Sequence, residues 1–248
     1  MTIFNISSAP EPSEREYLID GLIYKGEISL LYGPSGVGKS ALLVDMLARV
    51  SMKVDVSGKP TVEADIFWFP TEGISEHHRR LKTNLKQLSS NTSKYGQHYM
   101  DDRPLALIGS NVKEYLSEVA MIMIAEGKVN RRPQIMVVDT LNQAMAGYDE
   151  NSSSAMSEVI SNLKYLLTLV PDLHILIVHH SGKKKEYGPR GHSSLFAAMD
   201  SCFFLSSLKD RQQLEVIKQR GSPAGEKLKF KLLSIDTAQS SSVGIEYC

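Results

Sequence analysis

Short, nearly unbroken apolar runs at 27–32, 64–70, 105–108, 134–139 and 173–179 alternate with longer stretches at 39–51, 75–89, 112–126 and 154–169, where apolar residues return every three or four positions. The first kind marks strands buried on both faces of a parallel sheet, and the second marks helices packed on it along one stripe. This alternation runs from Leu18 to Ile235 without a low-complexity linker or internal repeat, and Pro171 stops the last helix. It predicts an α/β fold with a mostly parallel central sheet flanked by helices. After Leu195 the pattern changes. The stretch CFFLSSLKDRQQLEVIKQRGSPAGEKLKFKLLSI reads as an antiparallel meander broken by Lys-Asp and Gly/Pro turns. Residues 1–16, with Pro10 and Pro12, read as an extended arm, leaving 17–248 as one domain.

Composition narrows the function classes. The 28 basic and 28 acidic residues cancel, so no global field advertises a nucleic-acid or membrane partner, and a polyanion has to be held by a local patch. Two cysteines, Cys202 in an apolar run and Cys248 at the end, make neither a disulfide framework nor a zinc site. No apolar stretch approaches a membrane span, and MTIFNISSAPEPSEREY lacks the regions of a signal peptide. A soluble cytoplasmic protein with no membrane partner is expected.

The chemistry concentrates after the first strand. Gly33-Pro34-Ser35-Gly36-Val37-Gly38-Lys39-Ser40, followed by Ala41 and a helical run, is a complete phosphate-binding loop in its strand-to-helix setting. The glycines let the backbone curl its N–H groups toward phosphate oxygens. Lys39 then brings a cation to the β- and γ-phosphates, Ser40 offers its hydroxyl to Mg²⁺, and the helix dipole faces the same anion. Asp139 closes the apolar strand IMVVD, where a carboxylate completes the Mg²⁺ shell or simply caps a turn. Glu72, after the strand DIFWFP, is a candidate general base for water, the alternative being an acid at a helix N-terminus.

His179 and His180 end the strand LHILIVHH. His180 is the better candidate to touch a γ-phosphate, and a ring satisfied by backbone is the alternative, more so for His179. The loop SGKKKEYGPRG presents Lys183, Lys184, Lys185 and Arg190 with one aromatic, Tyr187, a set that suits a nucleic-acid backbone with a stacked base or else a solvated turn. Finally, Lys218 and Arg220 in KQRGSPAG lie two residues apart, which on a strand aims both at one side. A neighbouring subunit's γ-phosphate would make Arg220 an arginine finger, and a basic hairpin rim is the alternative.

Together these residues resemble the RepA-type hexameric replicative helicases of plasmids and phages, within the RecA-like P-loop ATPases. The resemblance covers roughly residues 17 to 235, through LIDGLIYKGEISLLYGPSGVGKS, the TEG at 71–73, IMVVDTLNQAM, VHHSGK and RGHSSLFAAMD, while KQRGSPAG is similar to the finger turn of DnaB-type helicases. It implies ATP as nucleotide, Lys39 and Ser40 on phosphate and Mg²⁺, Asp139 on the metal, Glu72 as base, His180 as γ-phosphate sensor, and Lys218 with Arg220 acting across a subunit boundary. It also implies a homo-oligomeric ring, hexameric in the family, translocating on single-stranded DNA. Two other readings use the same core: an ATP-gated recombination or repair mediator, and a partner-binding ATPase switch without nucleic acid.

Overall fold

A computed structural model describes residues 14–71, 73–88, 96–101, 103, 105–130, 132–182, 188–237 and 240–248. The chain opens with a small antiparallel ribbon, β1 (Tyr17–Ile19) and β2 (Ile23–Tyr24). It continues through β3 (Ile28–Gly33), α1 (Lys39–Ser51), β4 (Asp65–Pro70), α2 (Ile74–Leu88), β5 (His98–Met100), α3 (Val112–Asn130), β6 (Gln134–Asp139), α4 (Leu141–Ala144), α5 (Ser153–Leu169) and β7 (His174–His180). Then come α6 (Ser194–Ala198), β8 (Ser201–Ser207), β9 (Gln212–Gln219), β10 (Lys227–Thr237) and β11 (Ser240–Tyr247).

Among the described residues, nine strands form one sheet in the order β11-β10-β9-β8-β3-β7-β6-β4-β5. From β5 to β8 every pairing is parallel, and from β8 to β11 every pairing is antiparallel. The expected architecture, a parallel sheet followed by an antiparallel meander, is therefore the one that forms. Successive strand residues alternate between two cores. Leu30, Phe67, Val138 and Ile177 pack on one face with α3 and α5 residues such as Leu116 and Leu163. Leu31, Trp68, Val137 and Leu176 pack on the other with Leu43 and Leu47 of α1 and Leu81 of α2. Burial on both faces explains why these strands read as unbroken apolar runs.

The expected strand at 105–108 does not form. Leu105, Leu107 and Ile108 are buried, but Leu107 N–H donates to the Ala144 carbonyl (2.9 Å) and its carbonyl accepts from Asn162 Nδ2 (2.9 Å). A short apolar run beneath helices is indistinguishable by pattern from a buried strand. The sheet edge is instead β5, in register with Ile66 to Trp68 and fixed there by a hydrogen bond from Trp68 Nε1 to His98 Nδ1 (3.0 Å). Among the described residues, no helix is long and apolar enough to cross a membrane.

Candidate active site

The carboxyl ends of β3, β4, β6 and β7 meet at the start of α1. Gly33 closes β3 directly against β8, where a Cβ would stand 2.3 Å from the Leu205 carbonyl oxygen, so close strand approach is what demands glycine there. Gly36 and Gly38 carry positive φ values of 74° and 101° and turn the chain into α1. That helix has no side-chain cap and no acidic residue in its first turn, which leaves its positive end facing the loop for an anion.

Lys39 is buried and folds back over the loop, its ammonium donating to the carbonyls of Gly33 (3.0 Å) and Pro34 (2.9 Å). Burial lowers its pKa, and the Asp139 carboxylate works in the opposite direction. Ser40 Oγ donates to Asp139 Oδ2 at 2.7 Å. The Asp139 carbonyl accepts from both Thr71 N–H (2.7 Å) and Thr71 Oγ1 (2.9 Å), while Thr140 N–H donates to Thr71 Oγ1 (2.9 Å). These bonds clamp the ends of β4 and β6 together.

The resulting cleft, of about 340 Å³, is lined by the expected Ser35, Gly36, Gly38, Lys39, Ser40, Ala41, Asp139 and His180. Val37 is buried behind the loop, and Gly33 and Pro34 supply carbonyls to Lys39 rather than wall. Arg80, Thr140, Leu232 and Val243 also line the cleft and were not expected from the sequence. Arg80 comes from α2, where Glu76 Oε1 accepts from its Nε (2.8 Å), an i,i+4 pair that marks a helix surface and gave no sign of the cleft. Leu232 and Val243 arrive from β10 and β11, with Leu232 Cδ1 only 3.1 Å from where a Gly38 Cβ would be.

A hydroxyl and a carboxylate in contact fit Mg²⁺, a hard cation that takes few protein oxygens and completes its shell with phosphate and water. Among the described residues, no group of three or more His, Cys, Asp or Glu side chains gathers to hold an ion without phosphate.

The two histidines at the end of β7 differ. His180 lines the cleft, and its carbonyl accepts from Arg190 N–H at 2.9 Å. His179 is fully buried, its Nε2 at 3.0 Å from the Arg190 carbonyl, and burial lowers its pKa to about 4. Backbone thus engages Nε2 of His179, while its Nδ1 is buried without a hydrogen-bond partner.

Glu72, Lys183, Lys184, Lys185 and Tyr187 lie outside the described residues. Arg190 is not a free cation: its Nε makes a close ion pair with Glu150 Oε1, although 58% of its side chain remains exposed. Lys218 is engaged as well, donating to the carbonyls of Phe196 (3.0 Å) and Ala197 (2.9 Å) at the end of α6. Arg220 pairs with Asp200 Oδ1 at 3.0 Å and is 64% exposed. The other oxygen of Asp200 accepts from Ile28 N–H (2.9 Å), which places Arg220 by the amino end of β3, whereas the phosphate loop leaves its carboxyl end. At about 3.3 Å per residue the two ends are about 17 Å apart.

A family model described as an AAA domain matches residues 2–186. Among solved structures the chain is similar to one described as the ATPase domain of another protein, with 14% identity and a TM-score of 0.59 over 85% of this chain and 83% of that one. No curated protein matches. The structural likeness is one of fold, and that fold is the RecA-like P-loop architecture expected from the motifs.

Proposed function

Because this chain belongs to the AAA-domain family, we propose that it is a Mg²⁺-dependent ATPase that assembles head to tail into a ring and translocates on single-stranded DNA as a helicase. The observation that carries this reading is a divided site. Lys39, Ser40, Asp139 and His180 converge on one cleft, while Arg220 stands exposed at the opposite end of the parallel strands. At that distance Arg220 reaches no triphosphate in its own cleft. A heterologous contact that repeats around a closed ring would bring it to a neighbour's cleft.

In the cleft, Lys39 exchanges its two carbonyl acceptors for phosphate oxygens, and the anion favours the charged ammonium that burial disfavours. Ser40 and Asp139 would hold Mg²⁺, which supplies charge neutralisation on the β- and γ-oxygens. Arg80 adds a second cation from α2. Glu72 follows Thr71 in the chain, and we assign it the proton of the attacking water. His180 is assigned to the γ-phosphate. Lys183 to Lys185, Tyr187 and Arg190 form the segment assigned to DNA. Lys218 supports the finger by capping α6.

The test is steady-state ATP hydrolysis with and without single-stranded DNA, over a range of protein concentrations. Specific activity should rise with protein concentration and with DNA, and Arg220→Ala should lower turnover by about 10³-fold. Unchanged turnover in that variant under assembling conditions sinks the shared-site reading. The engagement of Arg190 by Glu150 favours a second reading, an ATPase switch without nucleic acid. Hydrolysis indifferent to DNA would move that reading to first place.

A further inference from the structure

Glu150 is buried without being one of the residues that line the cleft, and among the described residues its carboxylate meets Arg190, Asn142 and His179. Oε1 makes the ion pair with Arg190 Nε, while Oε2 accepts from Asn142 Nδ2 (3.2 Å) and lies 3.8 Å from His179 Nε2. Asn142 belongs to α4, which begins two residues after Asp139 in the chain. The Glu150 backbone takes part too, its carbonyl accepting from His192 N–H (2.9 Å). Gly191 passes so close that a Cβ there would stand 2.9 Å from the same oxygen.

From the other side, residues 188–192 are zipped onto the end of β7. Arg190 N–H donates to the His180 carbonyl (2.9 Å), Gly182 N–H to the Gly188 carbonyl (3.2 Å), and Ser181 forms a bridge with Pro189. One carboxylate thus joins the helix after the metal-side strand to the segment that carries Arg190, and that segment is hydrogen-bonded to the His180 carbonyl. Taking a charge out of water costs several kcal/mol unless it is well paired, so the burial of this carboxylate depends on the Arg190 and Asn142 side chains that meet it.

We propose that Glu150 is a positioning residue that couples Arg190 to His180, so that what Arg190 binds is felt at the phosphate end of the cleft. The coupling rests on the ATPase reading above. Arg190 uses its Nε on Glu150 while 58% of its side chain stays exposed. An anion drawing Arg190 outward pulls on the backbone hydrogen bond to His180, with Glu150 and Asn142 as the fixed anchor.

The experiment compares wild type, Glu150→Gln, Arg190→Gln and the double variant. Hydrogen exchange of the amides of Arg190 and His192 reports the latch without reference to activity, and thermal unfolding reports the whole fold. In Glu150→Gln we expect exchange at both amides to rise about tenfold, KM for MgATP to stay within twofold, and kcat with oligo-dT to fall about tenfold. The double variant should be no slower than the worse single one, as for two residues acting through one link. Faster exchange with kcat unchanged makes Glu150 purely structural and overturns the proposal, as do multiplicative effects in the double variant or a KM that rises in step with the loss. A wild type that hydrolyses no ATP removes the ATPase reading and the coupling with it. An active wild type matched by Glu150→Gln removes the coupling alone.

Discussion

Acid should unfold this protein well before most of its carboxylates titrate, because it buries neutral histidines. Burial lowers His77, His174 and His179 from the ordinary 6.5 to about 4 and His98 to about 3. Their surroundings explain the preference for the neutral ring. His98 Nδ1 accepts from Trp68 Nε1, which leaves its Nε2–H to donate to Ser51 Oγ (2.8 Å), whose own proton goes to the Ala48 carbonyl (2.8 Å). A second proton on His98 would point N–H at N–H. His174 is bound on both nitrogens, by the Tyr24 carbonyl (2.7 Å) and Ser29 Oγ (2.8 Å), and His77 lies edge-on to Trp68 with centroids 4.4 Å apart. Since the folded values lie below the unfolded one, the unfolded chain takes up protons first. The stabilisation is complete above about pH 6.5 and is lost as the pH falls toward 4. From pH 7 to pH 5 each ring costs the fold about 2 kcal/mol, so the four together take a large share of a typical stability of about 5–15 kcal/mol. Glu27 and Asp45, whose carboxyls burial raises, oppose the trend in part. Urea unfolding followed by the fluorescence of Trp68, the single tryptophan, should therefore show a steep loss of stability from pH 7 to pH 5. His77→Phe, which removes one titrating ring while keeping an aromatic against Trp68, should reduce the loss over that interval by about 2 kcal/mol. A loss under about 2 kcal/mol between those pH values, or an unaltered pH dependence in His77→Phe, would refute the reasoning.

Three further variants bear on the phosphate loop. Gly33→Ala drives a Cβ into the Leu205 carbonyl, a backbone atom that cannot swing aside, and should cost about 2–3 kcal/mol, or about 5–10 °C in Tm. Gly36→Ala meets open space at a φ of 74° and should cost only about 1 kcal/mol, so equal losses in the two variants would undo the strand-contact argument. Lys39→Ala should weaken MgATP about 100-fold in titration calorimetry, about 2.7 kcal/mol, for loss of charge-assisted bonds to phosphate. A change under threefold would place the triphosphate elsewhere.

How much of this was legible beforehand depended on how far apart along the chain the cooperating residues lie. The phosphate loop, the acid that ends β6 and the histidine that ends β7 each announce themselves within a few residues, because an apolar run that stops at a polar side chain is also where a parallel strand stops. The helix over 39–51 follows from the same local pattern. The failures have a different origin. The run at 105–108 satisfies its backbone on Ala144 and Asn162, and β5, with every residue only half buried, has too little apolar contrast to stand out. Leu232 and Val243 reach the cleft only because the meander adds β10 and β11 on the β8 side of the sheet, a placement that no window around either residue contains.

Charge was the least legible property of all. Lys218, Arg190 and Arg220 look equivalent in sequence, yet the first caps α6, the second is held by a buried carboxylate, and the third is left mostly in solvent beside Asp200. A cation's availability is set by the acceptor that reaches it first, and those acceptors come from other elements: the α6 carbonyls, Glu150 and Asp200. Of the three, Arg220 is the one whose charge is least enclosed, with 64% of its side chain exposed against 16% for its partner Asp200. Exposure at the far end of β3 from the phosphate loop is what the shared-site reading proposed above rests on.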